Sequence, residues 1–546
     1  MSPPNTILSV VVTLLAFLMF LFIIYRNSTS MSKKRGQHCQ LPPGPATLPV
    51  IGNMHQMIWN KPAVFRWIHH LLREMDTDIL RLRLGAVNVV VVACPEMACE
   101  VARKKDAVFA SRPVTFASGS FSFGYMASSL SPHGEQWRKM RRVISSEIVS
   151  PASERQLRHL REAESDHLVR YICSKTRSAD DIASSSNSID VRHVAQHFCG
   201  NIRALMFGKR CFAEPPPADI LAGGGPGTDE EEHVGALFAL LNFVYGFCVS
   251  DYFPSLVGLD LDGHEKVVKG VMRTLNRLHD PIIEERIRER SIPSKDERKK
   301  EVRDFLDVLV SLEDGEGQPL LSFEEIRAQT AEIMFATVDN PSNAVEWALA
   351  EMVNKPRVMQ KAVDELDAVV GQDRLVQECD ISRLNYLKSC IREAFRLHPY
   401  HAFTPPRVAM ADTSVAGYAI PKHSQMLLCR IGLGRNKNIW IERDEFRPER
   451  HLSGDGDVGV ALGEPDLRFV SFGAGRRGCP GTSLGTSITM MLFARLLQGF
   501  TWAKPPGMED CRVMLHESRF NLALAEPLTL HATPRLAAHL YKAITN

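Results

Sequence analysis

The longest helical pattern opens at "LSFEEIRAQT", where Ser322 and Glu325 have the Ser-x-x-Glu spacing of a capping box. Apolar residues recur afterwards at helical intervals, as at Val345, Leu349 and Met352, until Pro356 closes the run. Near its centre stands "ATVDNPSNA", where Pro341 lacks the N–H that the Thr337 carbonyl would accept. In an exposed helix interior such a proline costs about 3 kcal/mol, so the chain needs a reason to keep it. Upstream, "DILRLRLGAVNVVVVACPEMACEVARKK" (78–105) reads as a β-hairpin followed by a short helix. Helical patterns dominate from about 134 to 400, interrupted by two stretches of loop composition, 177–189 and 213–232. Short strands return around 407–430, a proline-rich meander follows, and a last long helix starts near Gly481. No repeat is visible. The pattern predicts one large, mostly α domain with small β-sheets over 51–546.

Ahead of it, residues 7–25, "ILSVVVTLLAFLMFLFIIY", carry no charge. As a helix they would reach ~28 Å, about the thickness of a hydrocarbon core. A cleaved signal peptide is the rival reading, but no basic segment precedes the stretch and no A-x-A site follows it. The expectation is a single N-terminal transmembrane helix within 1–30. Arg26, Lys33, Lys34 and Arg35 follow it, which puts the body of the chain in the cytosol. A basic, then proline-rich hinge over 31–50 would hold that body off the membrane.

Composition adds little beyond this. A net charge of +2 with no basic arm or finger spacing gives no ground for a nucleic-acid partner. The twelve cysteines are scattered without a C-x-x-C, which suits reduced, cytosol-facing thiols.

One cysteine carries chemistry. In "FGAGRRGCPG" (472–481), Phe472, Gly475, Arg477, Cys479 and Gly481 fill the pattern F-x-x-G-x-R-x-C-x-G. Glycines let a backbone loop approach a flat cofactor closely, and a helix starting beside the cysteine favours its thiolate. A thiolate on haem iron promotes O–O cleavage. The bland alternative is a buried structural cysteine in a turn. Three weaker motifs stand beside it: Trp137 and Arg141 in "WRKMR", Glu393 and Arg396 in "EAFR", and Arg450 in "FRPERH". Each is common alone; their order along the chain is not.

That order, over most of the chain, resembles the cytochrome P-450 family of haem–thiolate monooxygenases. The resemblance implies the cytochrome P-450 fold, haem b (iron protoporphyrin IX) with Cys479 as the iron's axial ligand, and O2 as oxidant. It also implies electrons from NADPH through a membrane-bound NADPH–cytochrome reductase, in the endoplasmic reticulum membrane. Trp137, Arg141, Arg407 and Arg477 would meet the haem propionates, Phe472 would belong to the haem loop, and Glu393, Arg396 and Arg450 would form a structural cluster. "RKMRR" (138–142) and Arg476 suggest a basic docking face for the reductase.

A departure sharpens the comparison. The common family pattern in the long helix is (A/G)-G-x-(D/E)-T-(T/S), whereas Asn340 and Pro341 here follow Thr337 and Asp339. "DNPSNAVEWALAEM", "FRLHPYHAFTPPRVAMADT" and "CRIGLGRNKNIW" resemble the plant amino-acid N-monooxygenases, which turn amino acids into aldoximes. The implied reaction is two N-hydroxylations, then loss of water and carbon dioxide. The implied substrate is an aromatic amino acid (tyrosine, phenylalanine or tryptophan), with a branched aliphatic one (valine or isoleucine) as competitor. Carbon hydroxylation of a lipophilic metabolite and a non-enzymatic haem carrier are the other readings. Asn340 and the freed Thr337 carbonyl would replace the lost hydroxyl, unless the proline serves packing alone. His401, Phe403, Thr404, Arg519, Phe121 and Phe123 fall in segments that correspond to pocket walls, with Arg519 or His401 as partner for a substrate carboxylate.

Overall fold

The computed structural model describes residues 40–542 except 178–187, 201, 210–211, 214–224, 292–301, 453–458, 509–511 and 520. The stretch expected to cross a membrane, and residues 31–39 of the hinge, lie outside the described residues. Among the described residues no helix is long and apolar enough to cross a membrane.

The hairpin forms as the alternation predicts. Strands β1 (Ile79–Leu84) and β2 (Val87–Val92) pair antiparallel, and a short helical segment follows from Pro95. Two further strands, β3 (Arg407–Val408) and β4 (Gln425–Leu428), complete a sheet in the order β1-β2-β4-β3, with β4 parallel to β2. The rest is mainly helix. The long helix runs Phe323–Val353 and starts on the expected box: Ser322 accepts the Glu325 N–H at 3.2 Å, and Glu325 accepts the Ser322 N–H at 2.9 Å. It passes through Pro341 without ending. Most of its residues are buried between helices Val191–Gly200, Thr228–Phe243, Asn385–Leu397 and Thr482–Gly499, so tertiary packing offsets the local cost of the proline.

Two loop expectations need correction. Residues 228–232 begin the helix Thr228–Phe243 rather than continuing a loop; the acidic run Asp229–Glu231 suits the positive end of the helix dipole. Ser188–Asp190 forms a short strand because it finds an edge to pair with, Thr529–Pro534.

Behind the helices, Glu393 ties three segments together. It is fully buried and accepts from Arg396 at 2.7 Å, Arg450 at 3.0 Å and His451 at 2.8 Å, as well as from the Arg447 N–H at 2.9 Å. Arg396, also fully buried, donates onward to the carbonyls of Gly434, Arg443 and Glu445. The approach is tight: a Cβ on Gly434 would sit 2.1 Å from the Arg396 carbonyl oxygen. Burial disfavours the Glu393 charge, but Arg396 and His451 outweigh it and hold the carboxyl at about 2.

Removing one partner of a buried ion pair costs roughly 3–5 kcal/mol. Glu393→Gln is therefore expected to lower the thermal midpoint strongly at neutral pH. The depressed carboxyl stabilises the fold above its unfolded value of about 4.3 and loses that contribution as pH falls towards about 2. The deficit of the variant should shrink over that range, as melting curves recorded down the pH series will show.

Candidate active site

A cavity of about 680 Å3 opens between the long helix and the cysteine loop. Ala336, Thr337, Asn340 and Pro341 form one wall, while Phe472, Gly478, Cys479 and Gly481 lie on another. The loop is a tight return: the Cys479 N–H donates to the Phe472 carbonyl at 2.8 Å, and the Gly478 N–H to Gly475 at 2.9 Å. Gly475 has φ +67°, and a Cβ there would meet the Ala102 carbonyl at 2.1 Å, so only glycine fits. Helix Thr482–Gly499 starts just beyond, with Gly481 at its N-cap. The free surface of Cys479 faces the cavity. Burial raises its thiol, while the Gly481 N–H and Arg141 pull the other way without prevailing. The helix terminus eases ionisation, but a bound cation is what would complete it.

Five guanidinium groups line the same cavity: Arg112, Arg141, Arg407, Arg430 and Arg477. Arg477 donates to the carbonyls of Ala110, Ser128 and Ser131 and lies 4.7 Å over the Trp137 ring. Arg112 donates to the carbonyls of Ser129, Pro405 and Pro406. Arg407 reaches the Ala474 carbonyl at 2.7 Å with one nitrogen, but its other terminal nitrogen is buried without a partner. Arg430 bonds the Ser471 carbonyl at 3.1 Å and leaves its Nε buried and unpaired. Burial, reinforced by Arg112, lowers Arg407 and Arg477 to about 9; burial lowers Arg430 to about 10. Against them on this wall stands the carboxylate of Glu332, which accepts from the Ser128 hydroxyl and the Ser129 N–H. A wall so positive, facing a soft sulfur donor, suits a flat ligand that carries two carboxylates.

The family model for cytochrome P450 matches residues 42–530. The chain belongs to the cytochrome P450 family. It is 56% identical to the tyrosine N-monooxygenase of Sorghum bicolor, over 92% of this chain and 88% of that one. It is 47% identical to valine N-monooxygenase 2 of Manihot esculenta, over 95% of this chain and 92% of that one. A zebra fish cytochrome P450 solved with progesterone superposes with a TM-score of 0.67 at 21% identity, covering 86% of this chain and 99% of that one, and so shares the fold. The resemblance to plant amino-acid N-monooxygenases therefore holds along nearly the whole chain. This cytochrome P450 is a haem–thiolate monooxygenase that works with haem, O2 and NADPH-derived electrons passed through a reductase. The cysteine loop and the unpaired arginine donors fit that haem.

Several residues lie elsewhere than expected. Asp339 is fully buried and off the cavity wall. His401, Phe403 and Thr404 line the cavity, but burial and Arg430 lower His401 to about 3, so it has no positive charge to offer a carboxylate. Phe121 is a core residue, and Phe123 lies under the Arg327 guanidinium, 4.1 Å from its ring centroid; neither reaches the cavity. Arg519 is exposed and away from it, while Asn521 takes the place on the wall. Arg112 and Arg430 join the site without a sequence signal, because nothing local in their stretches distinguishes them.

Leaving a buried charge of the ligand unpaired costs roughly 2 kcal/mol or more. Arg112→Ala is expected to lose haem faster than the parent when challenged with apomyoglobin, whereas the exposed Arg519→Ala should match the parent.

Proposed function

We propose that this cytochrome P450 converts an L-amino acid to its aldoxime by two N-hydroxylations, dehydration and decarboxylation. Its substrate is aromatic: tyrosine first, then phenylalanine or tryptophan. The observation that carries this reading is 56% identity to a tyrosine N-monooxygenase over nearly the whole chain. The likeness to a valine N-monooxygenase supports a branched aliphatic substrate as the second reading.

When bound, haem supplies oxygen activation. Cys479 would hold its iron through the thiolate, and Phe472, packed edge-on against Phe395 with ring centroids 6.1 Å apart, would support the ring. Trp137, Arg141, Arg407 and Arg477, joined by Arg112, would hold the propionates. The Thr337 hydroxyl spends its one proton on the Ile333 and Met334 carbonyls, at 3.0 and 3.1 Å. Asn340 faces the cavity, and its carboxamide has no partner among the described residues. Such a group both donates and accepts, and Pro341 leaves the neighbouring Thr337 carbonyl without its helical N–H. Together they hold a water or the substrate amine. The Thr404 hydroxyl, buried without a partner on the cavity wall, is a further contact for the zwitterion.

The uncharged N-terminal stretch anchors the enzyme in the endoplasmic reticulum membrane with its catalytic domain in the cytosol. The reductase docks on the exposed Arg138, Arg142 and Arg476; Lys139 is committed to Glu325 at 2.7 Å.

Microsomes carrying the enzyme and reductase, supplied with NADPH and single amino acids, are expected to form an aldoxime from tyrosine, identified by mass spectrometry. No oxime from any protein amino acid would refute the substrate class. Replacing Asn340 and Pro341 together by threonine should lower oxime yield about ten-fold and raise peroxide release. Unchanged yield and peroxide would leave the pair a packing role alone.

A further inference from the structure

A second chamber, of about 150 Å3, adjoins the main cavity, and Asn242, Asn343, Tyr400 and Asn521 line both. Three of these four form one cluster, drawn from far apart in the chain. Asn242 lies in the last turn of helix Thr228–Phe243, Tyr400 just beyond helix Asn385–Leu397, and Asn521 in the C-terminal segment. The Asn521 amide donates to the Tyr400 hydroxyl oxygen at 3.2 Å and to the Asn242 carboxamide oxygen at 3.3 Å. Its own oxygen accepts the Ala523 N–H at 3.1 Å, which fixes the way that amide points. The Tyr400 carbonyl accepts the Leu522 N–H at 3.2 Å, so the two segments hold each other in place.

The cluster is polar but uncharged. Burial keeps the Tyr400 phenol protonated. Arg192 and Glu346, on the side chamber, are committed to each other at 2.9 Å, and Arg192 donates onward to the Leu524 carbonyl at 2.7 Å. A carboxylate or an ammonium finds no free counter-charge here, whereas a neutral hydroxyl finds both a donor and an acceptor. The Asn242 NH2 has no partner among the described residues. The Tyr400 oxygen accepts once, from Asn521, and keeps a second lone pair. The same cavity is lined by Leu241, Phe243 and Phe335, apolar surface that suits an aromatic ring carrying such a hydroxyl.

We propose that Asn242 and Tyr400, oriented by Asn521, bind the para-hydroxyl of a tyrosine substrate and so set its preference over phenylalanine. The inference rests on the reading of this cavity as an amino-acid site and names the side chain it selects. In the complex the substrate O–H donates to the Tyr400 oxygen, and the Asn242 amide donates to the substrate oxygen. Behind them the side chamber has room for several waters, each of which occupies about 30 Å3 in the liquid. A phenylalanine ring would leave the Asn242 donor facing it unpaired. Sites built to bond a hydroxyl reject the analogue that lacks it far more strongly than an apolar pocket rejects a missing methylene.

Equilibrium binding to the holoenzyme, read from the haem absorption shift on adding single amino acids, tests this without turnover. The parent should bind tyrosine about ten-fold or more tightly than phenylalanine and than 4-methylphenylalanine, which fills the hydroxyl's space with an apolar group. In Asn242→Leu and in Tyr400→Phe the ratio of tyrosine to phenylalanine affinity should fall about ten-fold, with the carbon-monoxide difference spectrum of the parent. A ratio that neither variant changes would overturn the assignment, as would affinities for both amino acids that fall together. Should the variants fail to bind haem, the parent decides: equal affinity for tyrosine and 4-methylphenylalanine overturns the assignment, and a ten-fold gap supports it. Oxime formation is scored separately. Discrimination of the hydroxyl without any oxime refutes the reaction and keeps the assignment; oxime formation without discrimination does the reverse.

Discussion

Burying positive charge without enough negative charge is the constraint on which the site depends. Ions taken out of water lose several kcal/mol each unless partners replace the hydration. Here the partners are backbone carbonyls drawn from loops far apart in sequence: Arg112 bonds Pro405 and Pro406, and Arg477 bonds Ala110, Ser128 and Ser131. Carbonyl dipoles hold the guanidinium groups in place but do not neutralise them. What remains is a positive wall with spare donors at Arg407 and Arg430, which the propionates of a bound haem would complete. The same carbonyl bonds fasten the cysteine loop to the segments around it, so ligand binding and loop geometry are one problem.

The wall holds its shape because stiffer parts stand behind it. Glu393 ties helix Asn385–Leu397 to the meander that leads into the cysteine loop. The long helix fixes the other side: Asn343 donates to the His398 carbonyl at 3.1 Å, and Trp347 donates to Leu522 at 3.0 Å. Trp347 also stacks on His398, with centroids 3.8 Å apart. These contacts carry the 398–404 and 521–524 segments to the cavity. They also explain how a proline survives mid-helix, since the surrounding packing restrains both sides of Pro341. The lost backbone bond falls where a free carbonyl can serve a polar substrate.

Legibility followed the range of the interactions. The capping box, the β1–β2 hairpin, the Glu393–Arg396 pair and the cysteine loop are short-range patterns, and the chain displays them directly. His451 was within the quoted "FRPERH", but nothing in that stretch says that it completes the Glu393 cluster. Arg112, Tyr400, Asn242 and Asn521 converge only after folding, so no spacing announces them. Phe121, Phe123 and Arg519 illustrate the opposite error. Their segments border the cavity at Thr115 and Asn521, whereas side-chain direction depends on packing: Phe121 turns into the core and Arg519 into solvent. His401 failed for an electrostatic reason, because burial next to Arg430 removes the charge that made it attractive.

The central claim is that an oxygen-activating haem–thiolate cavity, with Asn340 and Pro341 on its wall, oxidises the nitrogen of an amino acid. Turnover of tyrosine under isotopically heavy dioxygen, with reductase and NADPH, tests it most directly. The account predicts an aldoxime whose oxime oxygen, on nitrogen, comes from dioxygen. A tyrosine product with the heavy oxygen on carbon and its amine and carboxylate intact would contradict it.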